Sequence, residues 1–596
     1  MKGACCMYNK TVNLHGKEFI FQSEKEPKSL EFRMVKDEEG LSEYELYLNL
    51  TERDMSTFSI KWSAHMQGIL SCWTPIAKRD REVKQWFGPN TNFSNIYYGA
   101  PILSVIDQGD KNFSTVAVSD AVNPVRMTFA VNDFEEKENL DFHIYLFEEG
   151  CTEESYTIRI RIDERDIPYY DAIASVSNWW KEFYPIDRIR TENGELPLYS
   201  TWYNYHQNPT QESLEKEMAE AVKCGFKSLI IDDGWSYEGV GTGDYCNCGN
   251  WNVTDTKFPD FGAFVKYLHE LGIKAAVWFP VPYVGYYADD YKKFQGKILY
   301  NSDGAKCGVL DPRYPDVRKY IVDNYVDMVN KYELDGLKLD FIDAFRCPDR
   351  AALCTDKSEG YDCDKVEEGV TKLLREIRET LTAGKEDFMI EFRQFYVGPA
   401  IVRECNMLRV IDCAFDCITN RVGIADLRLL NYGLAVHADM LLWSQDEKSE
   451  VVAKMLLNTM FAVPQISVLL QNSSDEQKKI ITSYISYWYE NKEVLLYGHF
   501  KAHHPEACYS LISSENDEKR VVVAYSENSV CFDGKTTDIF NATASDYLYI
   551  ENTSGRNVNA VVYDCCGNKL DEYVIEQNVC KVSISEGGKL SLSKNI

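Results

Sequence analysis

A chain of 596 residues is longer than one hydrophobic core supports, so roughly two to four domains are expected. Its composition, 45% hydrophobic and 26% charged, is that of a globular protein, and a formal charge of −29 repels phosphate backbones and anionic lipid surfaces. Nucleic acid and membrane are therefore disfavoured as partners and a neutral or cationic substrate is favoured, while an aromatic share of 13% supplies ring faces suited to sugars as well as to cores.

The opening stretch MKGACCMYNKTVNLHGKEF lacks the apolar core and small-residue cleavage site of a secretory signal, and no run approaches the length of a membrane span. A cytoplasmic location is expected. The 19 cysteines, an odd number scattered through apparent core strands (Cys224, Cys405, Cys413, Cys417), fit reduced buried thiols better than a disulfide framework. Cys246 and Cys248 have the proximity of metal ligands, but no second pair or neighbouring His completes a set of four, so neither a metal nor another cofactor is expected.

Residues 1–168 read as short alternating runs broken by turn residues (FSIKWSAHM, STVAVSD, DFHIYLF, YTIRIRI), the pattern of an antiparallel β-sandwich. A linker over 169–197 carries the helical run DAIASVSNWWKEFY. From 198 to 496 strand and helix alternate, with strand-like runs LYSTWYNY, SLIIDDGW, IKAAVWF, LDGLKLDF, DFMIEFRQ, NMLRVIDC, HADMLLWS and QISVLL. Eight such units match a (β/α)8 TIM barrel, and helix-start signals such as Thr210 followed by Ser213-Leu214-Glu215 fall between them. Residues 497–596 return to alternation (RVVVAYS, DYLYIEN, NAVVYD, CKVSIS), predicting a small C-terminal antiparallel β domain. The expected fold is thus multidomain, a central barrel flanked by two all-β domains.

The chemistry concentrates where apolar strands end in acids. In a barrel the C-terminal strand ends face the catalytic mouth, which places Asp232, Asp233 and Asp340 there. Lys338 shares a strand face with Asp340, and a cation beside a carboxylate keeps it ionised and nucleophilic. Acid/base work needs a second carboxylate, supplied on the sixth strand by Asp412, with Asp416 as its competitor. Two carboxylates across a barrel mouth suffice for glycosidic cleavage, leaving Asp232 and Asp233 for hydroxyl recognition. The structural alternatives at that turn are Trp235 as a core anchor and Asp233 as a helix cap.

The succession STWYNY, LIIDDGW, VWFPV, LDPRYPDVRKYI, LKLDF and Arg-x-x-Asp on the sixth strand resembles the α-galactosidase clan, most closely glycoside hydrolase family 36. The resemblance implies Asp340 as nucleophile and Asp412 as general acid/base. It further implies that Asp232, Asp233 and Lys338 bind sugar hydroxyls, that Trp202 and Trp278 line the pocket, and that Arg393 and Arg409 contact sugar or carboxylate. Relatives commonly carry Cys-Ser-Gly-Gly-Gly-Arg-Phe-Asp at the fifth strand, facing the C2 substituent, where this chain reads MIEFRQFY. Period-two alternation puts Glu391, not Phe392, on the face of Arg393. On the seventh strand His437, Asp439 and Trp443 are within reach of the rim, with Trp443 a candidate substrate contact and His437 a structural residue; His206, just beyond the first strand, is a loop-side candidate.

The leading reading is a retaining exo-α-glycosidase acting on terminal α-galactosyl residues of an oligosaccharide or glycoconjugate. Its rivals are an α-galactosaminidase, an α-N-acetylgalactosaminidase or an α-galactosyl transferase of the same fold, and a non-catalytic carbohydrate-binding relative. A metal-dependent barrel hydrolase fits poorly, because no barrel strand carries His-x-His. Oligomeric state stays open, a homo-oligomer among the options.

Overall fold

The computed structural model describes residues 8–50, 57–134, 139–151, 153–186, 190–237, 244–346 and 359–594. The first seven residues of the opening stretch lie outside them. The N-terminal domain consists of two six-stranded sheets, antiparallel throughout the described pairs. Alternate residues of strands such as Lys17–Ser23 and Phe58–His65 turn inward, so Phe19, Phe21, Ile60 and Trp62 join the core between the sheets; Phe19 meets Tyr44 of the opposite sheet at 4.8 Å, and Trp62 stacks on its neighbour within the sheet, Phe142, at 5.2 Å.

The helix Tyr169–Trp180 joins sandwich to barrel; the last four residues of the expected run, Lys181 to Tyr184, form turns instead. Its two terminal tryptophans face the sandwich. The indole of Trp179 donates to Glu43 Oε2 (3.0 Å) and that of Trp180 to the Val118 carbonyl (2.9 Å).

Eight parallel strands follow: β1 (Leu198–Ser200), β2 (Ser228–Ile231), β3 (Lys274–Pro280), β4 (Gly336–Asp340), β5 (Met389–Arg393), β6 (Met407–Arg409), β7 (Ala435–His437) and β8 (Gln465–Ile466). β8 pairs with β1, and a bridge from His437 to Val463 closes the barrel. Several strands are shorter than the runs that predict them, and at two of them the early end shapes the mouth. After Ser200 the chain leaves the ladder through Thr201, whose N–H still reaches the Ile230 carbonyl, and forms a helical turn, Trp202–Tyr205, in which the Tyr205 and His206 amides donate to the Thr201 and Trp202 carbonyls. β7 ends at His437, so Asp439 and Trp443 belong to the loop above it. The helix after β1 starts at the expected place, with Thr210 and Ser213 forming a reciprocal capping box.

The barrel interior changes character over one period-two step. Leu198, Ile230, Ala276, Met389 and Met407 form an apolar layer, with Gly336 completing it where a Cβ would lie 2.4 Å from that of Met389. Two residues further along the same strands stand Ser200, Asp232, Trp278, Lys338, Glu391 and Arg409. Alternation therefore converts an oily floor into a polar tier, and the next step on β4 and β5 gives Asp340 and Arg393 at the mouth.

The C-terminal domain has a seven-stranded and a three-stranded sheet. It is not purely antiparallel as expected: Lys519–Ala524 pairs in parallel with Thr536–Asn541, and Ser529–Phe532 with Tyr547–Asn552. The chain crosses to the second sheet at Ser529 before returning, and such a crossover permits parallel pairing. The three domains meet at Asp426, 1 % exposed, which accepts from Trp73 Nε1 (2.8 Å) and Arg81 (2.6 Å) of the sandwich and from the Tyr509 hydroxyl. Removing one member of so buried a pair costs about 3–5 kcal/mol.

Candidate active site at the barrel mouth

Asp340 ends β4 with its side chain 11 % exposed and all three of its polar contacts aimed at the carboxylate. Arg393 Nε lies 2.5 Å from Oδ1, the Phe341 amide donates to the same oxygen (2.7 Å), and Trp278 Nε1 donates to Oδ2 (3.1 Å). Burial alone would raise its pKa, but Arg393, Lys338 and Arg409 together hold it well below the usual carboxylate range. Arg393 is itself fixed by Asp343 (3.3 Å) and the Gln394 carbonyl (2.7 Å). Oδ2, with one donor, keeps a lone pair free for attack.

The Asp232-Asp233 pair sits beside it. Lys338 Nζ lies 2.7 Å from Asp232 Oδ2, while the Asp232 amide donates to Thr201 Oγ1 (2.9 Å). Asp233 accepts from Gln207 Nε2 (2.7 Å) and from the Tyr237 hydroxyl; it does not act as a helix cap. Burial pushes Asp233 up to about 6, opposed by those two donors and reinforced by the charges of Asp232 and Asp340. The turn requires Gly234: at φ +102 a Cβ there would come within 2.4 Å of the Gln207 carbonyl. Trp235, fully buried with its indole on the Trp278 carbonyl (2.8 Å), is the core anchor.

The two sixth-strand acids have different surroundings. Asp412 follows β6 with its side chain 51 % exposed and takes a hydrogen bond from Arg409 Nη1 (2.9 Å). Burial of its inner edge opposes ionisation, Arg409 and Lys338 favour it, and the charge of Asp340 resists it; the net shift is downward. Asp416 instead caps the helix Cys417–Leu430 through Thr419 N (3.0 Å) and pairs with Arg79 of the sandwich (2.6 Å). Both of its oxygens are committed to structure.

Arg409 is fully buried, donating also to Asp439 and standing 3.4 Å from Glu391 Oε1. Glu391 faces the barrel interior as alternation predicts, 1 % exposed, with Gln465 Nε2 on Oε2 (2.9 Å); its Oε1 has no hydrogen-bond partner among the described residues. Phe392 turns outward and packs on Tyr396 at 5.6 Å. His437 bonds the Gly194 carbonyl (2.7 Å) through Nε2 and Gln465 (3.0 Å) through Nδ1, and burial pushes it down to about 4, so it is a neutral structural histidine.

Of the candidate aromatics, Trp278 joins the cluster and Trp202 stands half-buried on the turn above β1, edge-on to the exposed His206 at 5.1 Å. Trp443 is not brought into the hydrogen-bonded cluster; it is 4 % exposed and packs into the main hydrophobic core. Sequence reasoning missed Gln207 and Tyr237, which brace Asp233, Tyr203, which braces Asp439, and Asp343, which holds Arg393; all lie beyond the strand ends and carry no periodic signal. Cys246 and Cys248 are buried thiols, the latter 3.8 Å from the Tyr237 hydroxyl.

A barrel whose mouth holds one buried ionised carboxylate, a second accessible one, and an acid pair beside a lysine defines a class: the carboxylate-based (β/α)8 barrels suited to polyhydroxylated ligands. Residues 171–361 match the Melibiase family model. An α-galactosidase of Lactobacillus acidophilus is 23% identical over 269 residues, 44% of this chain and 33% of that protein. An α-galactosidase of Pediococcus pentosaceus is 26% identical over 160 residues, 26% of this chain and 22% of its own length. These alignments span a third or less of the curated relatives they match. In fold, a solved α-galactosidase of Lactobacillus brevis superposes with a TM-score of 0.62 at 10% identity, over 100% of this chain and 84% of that one. A solved family 36 α-galactosidase of Geobacillus stearothermophilus gives 0.61 at 13% identity, over 97% and 82%. The chain thus resembles the melibiase family, glycoside hydrolase family 36, in sequence over residues 171–361 and in fold over nearly its whole length.

Proposed function

We propose that the protein is a retaining exo-α-glycosidase that hydrolyses terminal α-galactosyl residues. The observation that carries this reading is Asp340, desolvated yet held ionised by Arg393 and Lys338, with the accessible carboxylate of Asp412 near enough for the two charges to interact. Asp340 Oδ2 attacks the anomeric carbon as the C1–O bond breaks, and Asp412 delivers its proton to the departing oxygen. While Asp340 is anionic its charge opposes the ionisation of Asp412 that Arg409 and Lys338 favour. Once the glycosyl bond forms, that charge is gone and Asp412 ionises readily, ready to take a proton from the water that cleaves the intermediate.

Asp232, Asp233 and Lys338 serve as acceptors and donor for the sugar's hydroxyls, with Trp202 and Trp278 as pocket walls. Arg393 fixes Asp340, and Arg409 fixes Asp412. Glu391 Oε1, ion-paired with Arg409 at 3.4 Å but accepting no hydrogen bond among the described residues, favours a hydroxyl or amine at C2 over an acetamido group. The substrate is an oligosaccharide or glycoconjugate ending in an α-galactose-type sugar; variants of the Geobacillus stearothermophilus enzyme are solved with raffinose and with stachyose. The cysteines in the described residues are free and largely buried, which supports a reducing compartment, the cytoplasm, and none of the described helices is long and apolar enough to cross a membrane.

The test is parallel hydrolysis of aryl α-glycosides of galactose, galactosamine, N-acetylgalactosamine and glucose. Turnover of the galactoside, with the galactosaminide second, supports the reading. No turnover of any of them, or preference for the N-acetyl or gluco sugar, overturns it.

A further inference from the structure

Asp439 is fully buried in the loop after β7, and its carboxylate is shared among the elements that carry Asp412. Oδ1 accepts from Arg409 Nη1, the same nitrogen that donates to Asp412 Oδ1 at 2.9 Å. Oδ2 accepts from the amide of Cys413, the residue after Asp412, at 2.7 Å, and from the Tyr203 hydroxyl on the turn above β1, also at 2.7 Å. The Tyr203 hydroxyl in turn lies 3.1 Å from the Cys413 amide. Asn420, one turn into the following helix, holds the Asp439 backbone at both its N–H (3.1 Å) and its carbonyl (2.8 Å). One carboxylate thus pins the guanidinium beside Asp412, the peptide that carries it and the wall opposite.

We propose that Asp439 is the positioning residue of Asp412, acting through Arg409 and the Cys413 peptide. This rests on the acid/base reading of Asp412. Position is half of the role and charge the other half. Arg409 alone would bind Asp412 as a full ion pair and hold it ionised, which is wrong for a group that must arrive carrying a proton. By taking the same nitrogen, Asp439 offsets part of that pull, while Arg409 and Lys338 together still leave the net shift of Asp412 downward. The charged and titratable groups facing the pair are Arg409 and Asp412 from β6, Lys338 and Asp340 from β4, Arg393 from β5, Glu391 against Arg409, and Tyr203 and Cys413 on either side. Burial pushes Asp439 up to about 6, with Arg409 opposing, so proton uptake by Asp439 in acid releases Arg409 to Asp412.

Removing the negative charge of Asp439 stabilises ionised Asp412, so the general acid loses its proton at lower pH. In Asp439→Asn the basic limb of kcat/KM should move down by about one pH unit. The loss of kcat should be about 10-fold or more on alkyl α-galactosides and small on a dinitrophenyl α-galactoside, whose leaving group needs no proton. In an Arg409→Gln background the same change should leave the basic limb where that background puts it. Asp439→Glu keeps the charge at an altered reach and should retain the wild-type basic limb while losing kcat selectively on the poor leaving groups. This variant decides the matter should the Asn protein fail to fold. Equal losses on all leaving groups with an unmoved limb, in whichever variant is soluble, would overturn the proposal. Should Asp412→Ala itself show no leaving-group dependence, it is the underlying reading of Asp412 that fails.

Discussion

Arg393 Nε stands 2.5 Å from Oδ1 of Asp340, and the two side chains are only 10 % and 11 % exposed. The pair brings a strand-four acid and a strand-five base together at the mouth, 53 residues apart in sequence. Its consequence is electrostatic: a carboxylate that burial would neutralise stays ionised, and its second oxygen remains available. From this relationship follow the behaviours expected of the protein.

Asp340→Ala should reduce turnover of an aryl α-galactoside by about 10⁴-fold or more, since the group that forms the covalent bond is gone. The far-ultraviolet circular dichroism spectrum should be unchanged, because Asp340 caps no helix and closes no core. A variant retaining more than a few per cent of the wild-type rate removes Asp340 from the nucleophile's role.

Asp412 and Asp416 are separated by leaving-group dependence. Asp412→Ala should retain most activity on a dinitrophenyl α-galactoside and lose about 10²–10⁴-fold on alkyl α-galactosides. Asp416→Ala should act on stability instead, losing the N-cap on Thr419 and the Arg79 pair, with a cost of about 1 kcal/mol for the cap and its kinetics nearly intact. A leaving-group dependence in the Asp416 variant would reverse the assignment.

The buried Asp233 predicts an acid limb. Its pKa is raised to about 6, so the carboxylate is an acceptor only above that pH; as pH falls through it, protonation removes an acceptor for a sugar hydroxyl and KM rises. Asp233→Asn should show a raised KM at every pH and no such limb, the lost hydrogen bond costing about 1–3 kcal/mol. Asp439, which also titrates at about 6, should reveal itself in kcat rather than KM. A KM acid limb that survives in Asp233→Asn belongs to another group.

In the proposed reading Glu391 faces the C2 side, with Oε1 ion-paired to Arg409 at 3.4 Å but accepting no hydrogen bond among the described residues, while Phe392 is turned away into the core. Hydrolysis of α-galactosides should exceed that of α-N-acetylgalactosaminides by about 10-fold or more, roughly 1.4 kcal/mol in the barrier. Glu391→Gln should lose the α-galactosaminide first, because an amine needs the charge. Faster turnover of the N-acetyl sugar would show that Glu391 does not shape the C2 side.

The three-domain plan and the acids at strand ends were legible because both depend on local pattern: period two in the sheets, and an apolar run that stops at a carboxylate. The capping role of Asp416 was also within reach, since it immediately precedes the helical run CITNRVGIADLRLL and has Thr419 three residues on. The missing part is what crosses the barrel. Tyr203 meets Asp439 across 236 residues and Trp73 meets Asp426 across 353, contacts that no window of sequence contains. HADMLLWS reads as one strand because its residues are apolar, but the ladder ends at His437, and that early exit delivers Asp439 to Arg409 while Trp443 goes to the core. The C-terminal domain was misread as wholly antiparallel for a similar reason, its parallel pairs arising from a crossover between sheets.

The measurement that bears most directly on the central claim is the anomeric configuration of the sugar first released. Proton NMR of the reaction mixture with an aryl α-galactoside, recorded before mutarotation, should show α-galactose forming first, as required when Asp340 attacks and water then displaces it from the same face as the leaving group. First release of β-galactose would mean a single displacement by water, and would contradict the assignment of Asp340 as a nucleophile.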